Sequence, residues 1–590
     1  MKKIKFILPL LGFLAIGCTD ILENVNEEKP SLSGNDEVKG YISVSVAGAR
    51  TPNTRATYED GSSSENYVNM IRFYMFDNDG EPVYIRTNPN QDSSAPTEHY
   101  SYYDWDVTAN DNANAGSNSS ATVEKVLTTT MLLVGPDDYE FPENMQILAV
   151  VNPPQSVLSL GNASLSDVRA AIADYKTNLT SNNFVMSNSV FIDGDGEMIY
   201  AQPFETAVNI APTIKQSQEN PLVIYVERVV SRVDLGINLV AEENGSYDTT
   251  VEYDPIDPEG VPEGTYTGEI YVKINNWAVT STPNKSYLVK SIDTEWPSDL
   301  FGNLEIWNSS DYHRSFWAIN PLAIGESPLE NIDWFSFNEI KGNGLAIPTG
   351  TTKVSAYAQE NANPFITTEN AGTGANPKYP TKVILTGTLV DAEGNPITIA
   401  EYNQQHFTLD GLMNFIAGYL NMWTLEGGKY TTITPDDLQL VTKKNWVSED
   451  EFPAPDVNGT YFVYFVLTEE AAAKTWYHQV ENTTTYTVIT DPKTYIYDSV
   501  GRAMVWNGGM TYYYFDIEHL GNAGFPGYTG VVRNHIYDCA VSSLVGLGTP
   551  VWDPDETIYP EKPNRSGNLL TVEINILQWR LVKKSFDLAW

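Results

Sequence analysis

Apolar residues alternate with polar ones over short stretches of this chain, a pattern typical of strands that bury one face. Within residues 41–47, Ile42, Val44 and Val46 occupy every second position and so share one face of a strand. Comparable apolar stretches bounded by Gly, Asn, Asp and Pro predict further strands at 70–77, 121–134, 145–151, 222–240, 269–280, 382–390, 460–467, 510–517 and 569–576.

Helical patterns are few, and they predict helices at 165–175 and 408–420. A polar linker between two strand-rich halves is predicted at 213–221. Many short strands separated by turn residues predict an all-β fold of antiparallel β-sandwiches, with short helices in the connections. The length of 590 residues by itself suggests about three or four domains of ~150 residues each.

The N-terminus has the features of an export signal. Lys2, Lys3 and Lys5 precede an apolar run at 6–16 that is too short to span a bilayer, and Gly17-Cys18 follows directly. Residues 14–18 resemble a bacterial lipobox, in which the cysteine is acylated, with palmitate among the chains, and becomes the first residue. The alternative is an ordinary secretory signal in which Cys18 is incidental. No other segment has the ~20 apolar residues of a membrane span, so lipid would be the only anchor.

An acidic tether, residues 19–37, separates Cys18 from the strand at 41–47. A stretch rich in Gly, Pro, Asn and Ser comes after that strand, continues to residue 65, and contains Arg50 and Arg55. Breaker residues at this density predict one long exposed loop.

Charge and cysteine content exclude several classes of protein. The chain has 35 basic and 76 acidic residues, a net charge of −41, so nucleic acid and anionic lipid are poor partners. With two cysteines, of which Cys18 is the predicted lipid site, Cys539 has no partner. A disulfide framework and a cysteine-based zinc site are therefore not expected.

The sequence offers no catalytic residue, cofactor site or metal site. None of the six histidines lies three to five residues from another, and no nucleophile elbow or phosphate loop occurs. Residues 193–197 resemble the opening of a calcium loop but lack its closing Glu, so a tight turn is favoured. Arg533, Asn534 and His535 are favoured to bridge buried backbone groups rather than to catalyse.

Several motifs of the chain are distinctive, and the most specific lie near the C-terminus: GGMTYYYFDIEHL at 508–520, GVVRNHIY at 530–537, GLGTP at 546–550 and QW at 578–579. Others are RFYMFD at 72–77, MSNS at 186–189, VERVVSRV at 226–233, RSFWA at 314–318 and YAQEN at 357–361. Together these motifs resemble the major-subunit (fimbrillin) family of type V fimbriae of anaerobic Gram-negative bacteria, and the likeness runs from about residue 68 to the C-terminus.

The resemblance implies two transthyretin-like antiparallel β-sandwich domains, lipoprotein export, removal of the N-terminal segment after an arginine, and polymerisation by β-strand exchange. Its partners would be other copies of the chain and accessory fimbrial subunits. The expected division is a signal peptide at 1–18, a propeptide at 19–55, sandwiches at 56–218 and 219–578, and a donor strand at 579–590.

Strand exchange assigns a role to each end of the chain. A sandwich that lacks one strand exposes an apolar groove and unpaired backbone, which the strand carrying Ile42, Val44 and Val46 would fill in the precursor. Cleavage in the following loop would free that strand, and a strand from another subunit would replace it.

Arg55-Ala56 is the favoured cleavage site, since Pro52 would hinder a protease at Arg50-Thr51. The tail is the predicted donor, because four of its apolar residues share one parity, interrupted by Lys584: Val582, Phe586, Leu588 and Trp590. The alternative is that the tail forms the last strand of its own sandwich.

A surface glycan-binding lipoprotein is the alternative function. The chain contains 13 Trp and 35 Tyr, and aromatic rings stack on sugars, although they also fill sandwich cores.

Acylation of Cys18 can be tested by a single substitution. Cys18→Ala should leave the precursor unacylated and no longer associated with membranes, because the thiol is the predicted attachment point for lipid. Mass spectrometry and membrane fractionation check this, with Cys539→Ala as the matched control. A Cys18→Ala precursor that still carries lipid would exclude the lipobox interpretation.

Overall fold

The computed structural model describes residues 36–48, 58–60, 65–85, 99–107, 127–136, 140–174, 184–192, 197–254, 267–292, 318, 320, 332–361, 380–446, 461–519, 531–560 and 569–580. Most of these residues lie in strands that pair into several sheets, and the helices are short. The predicted all-β fold is therefore confirmed.

The strands of the N-terminal part are β1 Asp36–Gly48, β2 Tyr58–Asp60, β3 Met70–Asp77, β4 Tyr102–Asp106, β5 Leu127–Pro136, β6 Asn144–Val151, β7 Ile172–Asp174, β8 Met186–Asn188, β9 Phe191–Ile192, β10 Met198–Ile199, β11 Gln202–Glu205 and β12 Leu222–Arg228. The next ten are β13 Val230–Ile237, β14 Tyr247–Tyr253, β15 Gly268–Thr280, β16 Thr282–Pro283, β17 Lys285–Tyr287, β18 Ile332–Asp333, β19 Phe335–Ser336, β20 Leu345–Ala346, β21 Val354–Gln359 and β22 Lys382–Val390. The remainder are β23 Ile399–Tyr402, β24 Gln405–Phe407, β25 Trp423–Glu426, β26 Lys429–Thr432, β27 Leu438–Thr442, β28 Val463–Leu467, β29 Trp476–Gln479, β30 Tyr486–Val488, β31 Arg502–Trp506, β32 Met510–Asp516, β33 His535–Val545, β34 Thr549–Pro550, β35 Thr557–Ile558 and β36 Leu569–Arg580.

The helices are α1 Gln155–Leu158, α2 Leu165–Ala170, α3 Thr206–Asn209, α4 Ile214–Glu219, α5 Phe337–Asn343, α6 Leu409–Tyr419, α7 Lys443–Trp446, α8 Glu469–Ala472 and α9 Pro492–Val500, with 3₁₀ turns at Pro435–Asp437 and Asn507–Gly509. Within the described residues, no helix combines the length and the apolar character that crossing a membrane requires.

The N-terminal sheet has the strand order β4-β3-β6-β8-β12-β1-β5, with β11 paired to β6. Its apolar residues form one continuous core, which includes Phe73, Ile147, Met186 and Ile224. The strand nearest the N-terminus therefore lies inside this sheet, one position from the edge strand β5.

Two further sheets pack together as the C-terminal sandwich. One sheet has the order β2-β36-β33-β13-β21 and the other β14-β15-β22-β32-β34. Val233 and Tyr537 of the first sheet pack with Trp277 and Leu385 of the second in a shared core. The short strand β2 belongs to this sandwich, whereas β1 belongs to the N-terminal sheet.

A further unit is inserted between β22 and β32. It contains the sheets β24-β23-β31-β28-β27 and β26-β25-β29-β30, and it has a core of its own around Phe407, Ile416 and Trp476. Because β22 and β32 are neighbours in the sandwich, the insertion leaves that sheet unbroken.

Several predicted elements differ from the observed ones. The helix at 165–175 ends at Ala170, since residues 172–174 form β7 and pair with β17. The predicted linker at 213–221 contains α4, which Thr213 caps by accepting a hydrogen bond from the Gln216 N–H. The strand at 222–240 is two strands: β12 pairs in the N-terminal sheet and β13 in the C-terminal sandwich. The chain thus changes sheets at Val229.

Buried charges lie at the junction between the N-terminal sheet and the C-terminal sandwich. The guanidinium of Arg533 forms an ion pair with Glu360, both fully buried, and donates to the carbonyls of Leu288 (3.0 Å) and Tyr287 (2.7 Å). His535 Nδ1 lies 2.9 Å from the Arg533 carbonyl. The predicted structural role of this motif, bridging buried backbone groups, is confirmed for Arg533.

Residues 226–233, one of the motifs that resemble the fimbrillin family, supply further buried charges at this junction. Glu227 pairs with Lys290 at 3.0 Å, and both are fully buried, so desolvation lowers the pKa of Lys290 while Glu227 opposes the shift. Arg232 pairs with Glu65 at 3.1 Å, and Arg228 Nε donates to the Glu65 carbonyl. Glu65, the first described residue after β2, is thereby anchored at the junction.

Loss of one partner of a buried ion pair should be costly, because the remaining charge stays out of water. Glu360→Ala should lower the free energy of unfolding by about 3–5 kcal/mol. The control is Lys353→Ala, since Lys353 is 44 % exposed in its 2.7 Å pair with Asp538 and should contribute about 0–1 kcal/mol. Denaturant unfolding measures both, and equal losses would contradict a structural role for the buried pair.

Candidate strand-exchange groove

The first strand, β1, occupies a groove between β5 and β12. It pairs antiparallel with β5 from Asp36↔Pro136 to Val46↔Leu127, and parallel with β12 from Val44↔Leu222 to Gly48↔Val226. Over residues 44–46 β1 therefore has a strand partner on both sides. Without β1, the backbone groups of β5 and β12 that face it would lose their ladder partners.

One face of β1 is apolar and completely buried. Ile42, Val44 and Val46 are each 0 % exposed and belong to the core of the N-terminal sheet. The register sets Ile42 beside Met131 and Val46 beside both Leu127 and Ile224. At about 1.5–3 kcal/mol for each fully buried side chain, the three residues contribute roughly 5–9 kcal/mol to holding β1 in place.

The opposite face of β1 is polar, buried and hydrogen-bonded. Ser43 Oγ lies 2.7 Å from Thr130 Oγ1 of β5 and 2.9 Å from Ser217 Oγ of α4. Ser45 Oγ lies 2.9 Å from Thr128 Oγ1, also on β5. The helix α4 thus covers this face, and short hydroxyl side chains allow it to approach closely.

Gly40 permits close contact at the upstream end of the groove. Its φ is +153°, and a Cβ there would lie 2.6 Å from Ile210 Cγ2 and 2.8 Å from the Ala211 carbonyl oxygen. The neighbouring Tyr41 N–H donates to that carbonyl at 2.7 Å, and Ala211 N–H donates back to the Tyr41 carbonyl at 2.9 Å. A side chain at position 40 would disrupt this closure.

The predicted cleavage residues Arg50, Arg55 and Ala56 lie outside the described residues, as does Cys18. The described strands on either side of the predicted cleavage site belong to different sheets, since β1 is in the N-terminal sheet and β2 is paired with β36. A cut between them would separate two strands that share no sheet.

At the other end of the chain, β36 is longer than predicted. The strand was expected at 569–576 with the tail beginning at Trp579, but it continues through Trp579 to Arg580. The predicted donor residues lie beyond it, outside the described residues: Val582, Phe586, Leu588 and Trp590.

The sequence pattern predicted β1, but it did not predict that β5 and β12 flank it. Nothing near residue 42 in the sequence indicates that residues 127–136 and 222–228 are its neighbours. The signal that could have helped is Gly40, since a glycine just before an alternating stretch often marks close backbone approach.

The described residues contain no cluster of three or more His, Cys, Asp or Glu side chains that could hold a metal ion. Residues 193–196, which resemble the opening of a calcium-binding loop, lie outside the described ranges. The groove itself presents apolar side chains and backbone hydrogen-bonding groups, so its chemistry is strand recognition.

Aromatic residues, on which the glycan-binding alternative depends, have structural uses here. Trp277, Trp476 and Trp506 are among the largest fully buried side chains. On the inserted unit, Tyr430 and Tyr486 stack on each other with centroids 3.8 Å apart and planes 11° apart. Each ring therefore covers one face of the other, which reduces the surface available to a sugar.

The fit at Gly40 can be tested with a matched pair of glycines. Gly40→Ala should lower the free energy of unfolding of the uncut precursor by about 1–3 kcal/mol, because the new Cβ overpacks the groove. Gly245→Ala is the control, since Gly245 also has positive φ (+79°) but a Cβ there would meet nothing within 4 Å. Thermal unfolding before and after proteolysis checks this, and an unchanged precursor would contradict the close fit.

Comparison with known proteins gives a match between the C-terminal part of the chain and a described family. Residues 504–585 match the family described as the C-terminal region of fimbrillin, a major fimbrial subunit protein of type IV. No curated protein matches the chain in sequence.

Several solved structures are similar to the chain. A fimbrilin from Porphyromonas gingivalis has a TM-score of 0.40 and 12% identity, covering 93% of this chain and 99% of that one. The tip fimbrial protein of the same organism, truncated at its C-terminus, has a TM-score of 0.31 and 13% identity, covering 92% and 100%. A fimbrial assembly protein from Parabacteroides distasonis has a TM-score of 0.26 and 13% identity, covering 60% and 82%. The resemblance to the fimbrillin family is confirmed for residues 504–585, which match the C-terminal region of that family.

Proposed function

We propose that this chain is a structural subunit of a cell-surface fimbria that serves adhesion and colonisation. In this proposal the precursor is exported, acylated at Cys18 and held at the outer membrane. Cleavage after Arg55, or after Arg50, then frees β1, and the subunit joins an extracellular fibre. Its partners are other copies of the chain and accessory fimbrial subunits.

The observation that carries the proposal is the position of β1. The strand lies inside the N-terminal sheet with its apolar face completely buried, yet it is upstream of the predicted cleavage site. A strand that is essential to the sheet but belongs to a removable segment must be replaced after cleavage. Strand addition from another copy supplies both the apolar side chains and the ladder hydrogen bonds that β1 provided.

The tail is the proposed replacement. Its apolar residues on one face are Val582, Phe586, Leu588 and Trp590, one more than the three that β1 places in the groove. At about 1.5–3 kcal/mol each, their burial would contribute roughly 6–12 kcal/mol, enough to compete with β1 once the connection to β1 is cut. The resulting joint would be non-covalent and slow to dissociate.

The donor role can be tested by truncation. Protein lacking residues 585–590 should fold and be cleaved normally but form no fibres, because it has an acceptor groove and no complete donor strand. Electron microscopy before and after treatment with an arginine-specific protease checks polymerisation, and N-terminal sequencing of wild-type fibres checks for a start at Ala56.

Phe586→Asp and Lys583→Asp form a matched pair for this experiment. The first places a charge on the apolar face and should abolish fibres, whereas the second lies on the other parity and should not. Normal fibres from the truncated protein would exclude the tail as donor. An unfolded truncated protein would instead support the alternative that the tail belongs to its own sandwich.

A further inference from the structure

The short strand β2 pairs with the end of β36, and this pairing extends beyond the point where β36 stops pairing with β33. Along β36, the pairing with β33 runs from Leu569↔Val545 to Gln578↔His535, where β33 begins. The last two residues of β36, Trp579 and Arg580, lie beyond that point. Within the described part of the chain, their strand partner is β2, through Glu59↔Trp579 and Asp60↔Arg580.

Strand β2 is itself held from two directions. Upstream, residues 49–57 connect it to β1, which is fixed in the N-terminal groove. Downstream, residues 61–64 connect it to Glu65, which is buried and paired with Arg232 at 3.1 Å. The β2–β36 pair is parallel and only three residues long, a weak ladder on its own, so its persistence depends on the two connections that keep it near β36.

Cleavage after Arg55 would remove one of these connections. Tyr58 would become the third residue of the new N-terminus, and a three-residue strand at a free terminus readily frays, because few hydrogen bonds oppose the entropy of the released chain. When β2 frays, Trp579 and Arg580 lose their strand partner. The tail that follows them is the proposed donor.

We propose that β2 is a latch: in the uncut precursor it keeps the end of β36 in the chain's own sheet, and the cut that frees β1 also releases the tail for donation. The inference rests on the proposed function, in which the tail is the donor strand. A single proteolytic event would then activate acceptor and donor together. An uncut precursor would be unable to donate to fibres that have already formed.

A mixing experiment separates donation from acceptance. The acceptor is cut protein lacking residues 585–590, which has an open groove and no complete tail. The donor is uncut precursor, whose groove β1 still fills. Uncut wild type should form little complex with the acceptor, whereas uncut Glu59→Pro should form about tenfold more. Proline fixes φ at about −65°, away from the roughly −120° of a parallel strand, and so disfavours β2. Glu59→Ala is the matched control and should behave as wild type.

Size-exclusion chromatography with mass detection measures the complexes. The latch is excluded if uncut wild type donates as readily as uncut Glu59→Pro, or if Glu59→Pro donates no better than Glu59→Ala. Cut wild type mixed with the same acceptor is the positive control. Failure of that control would count against the proposed strand exchange itself, so the two hypotheses fail in different ways.

A reversible cross-link gives a second, independent test. Neighbouring strands lie about 4.8 Å apart, within the range of Cα separations that a disulfide bridges. Tyr58→Cys with Gln578→Cys should therefore lock β2 to β36, and the cut, oxidised protein should polymerise about tenfold more slowly than after reduction, equivalent to about 1.4 kcal/mol. Each single-cysteine variant should be insensitive to reductant, and polymerisation of the oxidised double variant at the reduced rate would overturn the latch.

Discussion

The N-terminal sheet requires a strand between β5 and β12, and the rest of the proposed biology follows from that requirement. The backbone groups that face this position must be paired, and the apolar residues that line it must be covered, since a bare groove of this kind aggregates. In the precursor β1 meets both needs, with Ile42, Val44 and Val46 completely buried. Pairing and burial are non-covalent, so a strand of matching pattern can take the place of β1.

The proposed replacement of β1 also requires that the rest of the structure keep its shape. The junction between the N-terminal sheet and the C-terminal sandwich contains the ion pairs Arg533–Glu360 and Lys290–Glu227, all four residues fully buried. Charges removed from water cannot separate cheaply, so these pairs resist movement at the junction. Glu227 lies on β12, one wall of the groove, so its pair with Lys290 ties that wall to the segment that follows β17.

The inserted unit shows how the C-terminal sandwich can carry additional structure. It leaves the sandwich between β22 and β32 and returns to the adjacent strand, so the ladder between those two strands remains continuous. It has a core of its own, and Trp506 of β31 packs with Val272 and Leu389 of the sandwich. The strand exchange proposed here involves β1, β5 and β12, none of which belongs to the insertion.

Local pattern was enough to place many strands, and tertiary structure decided how they are grouped. The predicted spans 70–77 and 382–390 coincide with β3 and β22, because alternation and turn residues are local properties of the chain. The pattern predicts a single strand over residues 222–240, since neither Gly nor Pro occurs near Val229, and only the distant partners assign β12 and β13 to different sheets. The early strand and its buried face were predictable from Ile42, Val44 and Val46. Its groove was not, because β5, β12 and Ser217 of α4 lie about 80 to 180 residues away in sequence, and only folding brings them together.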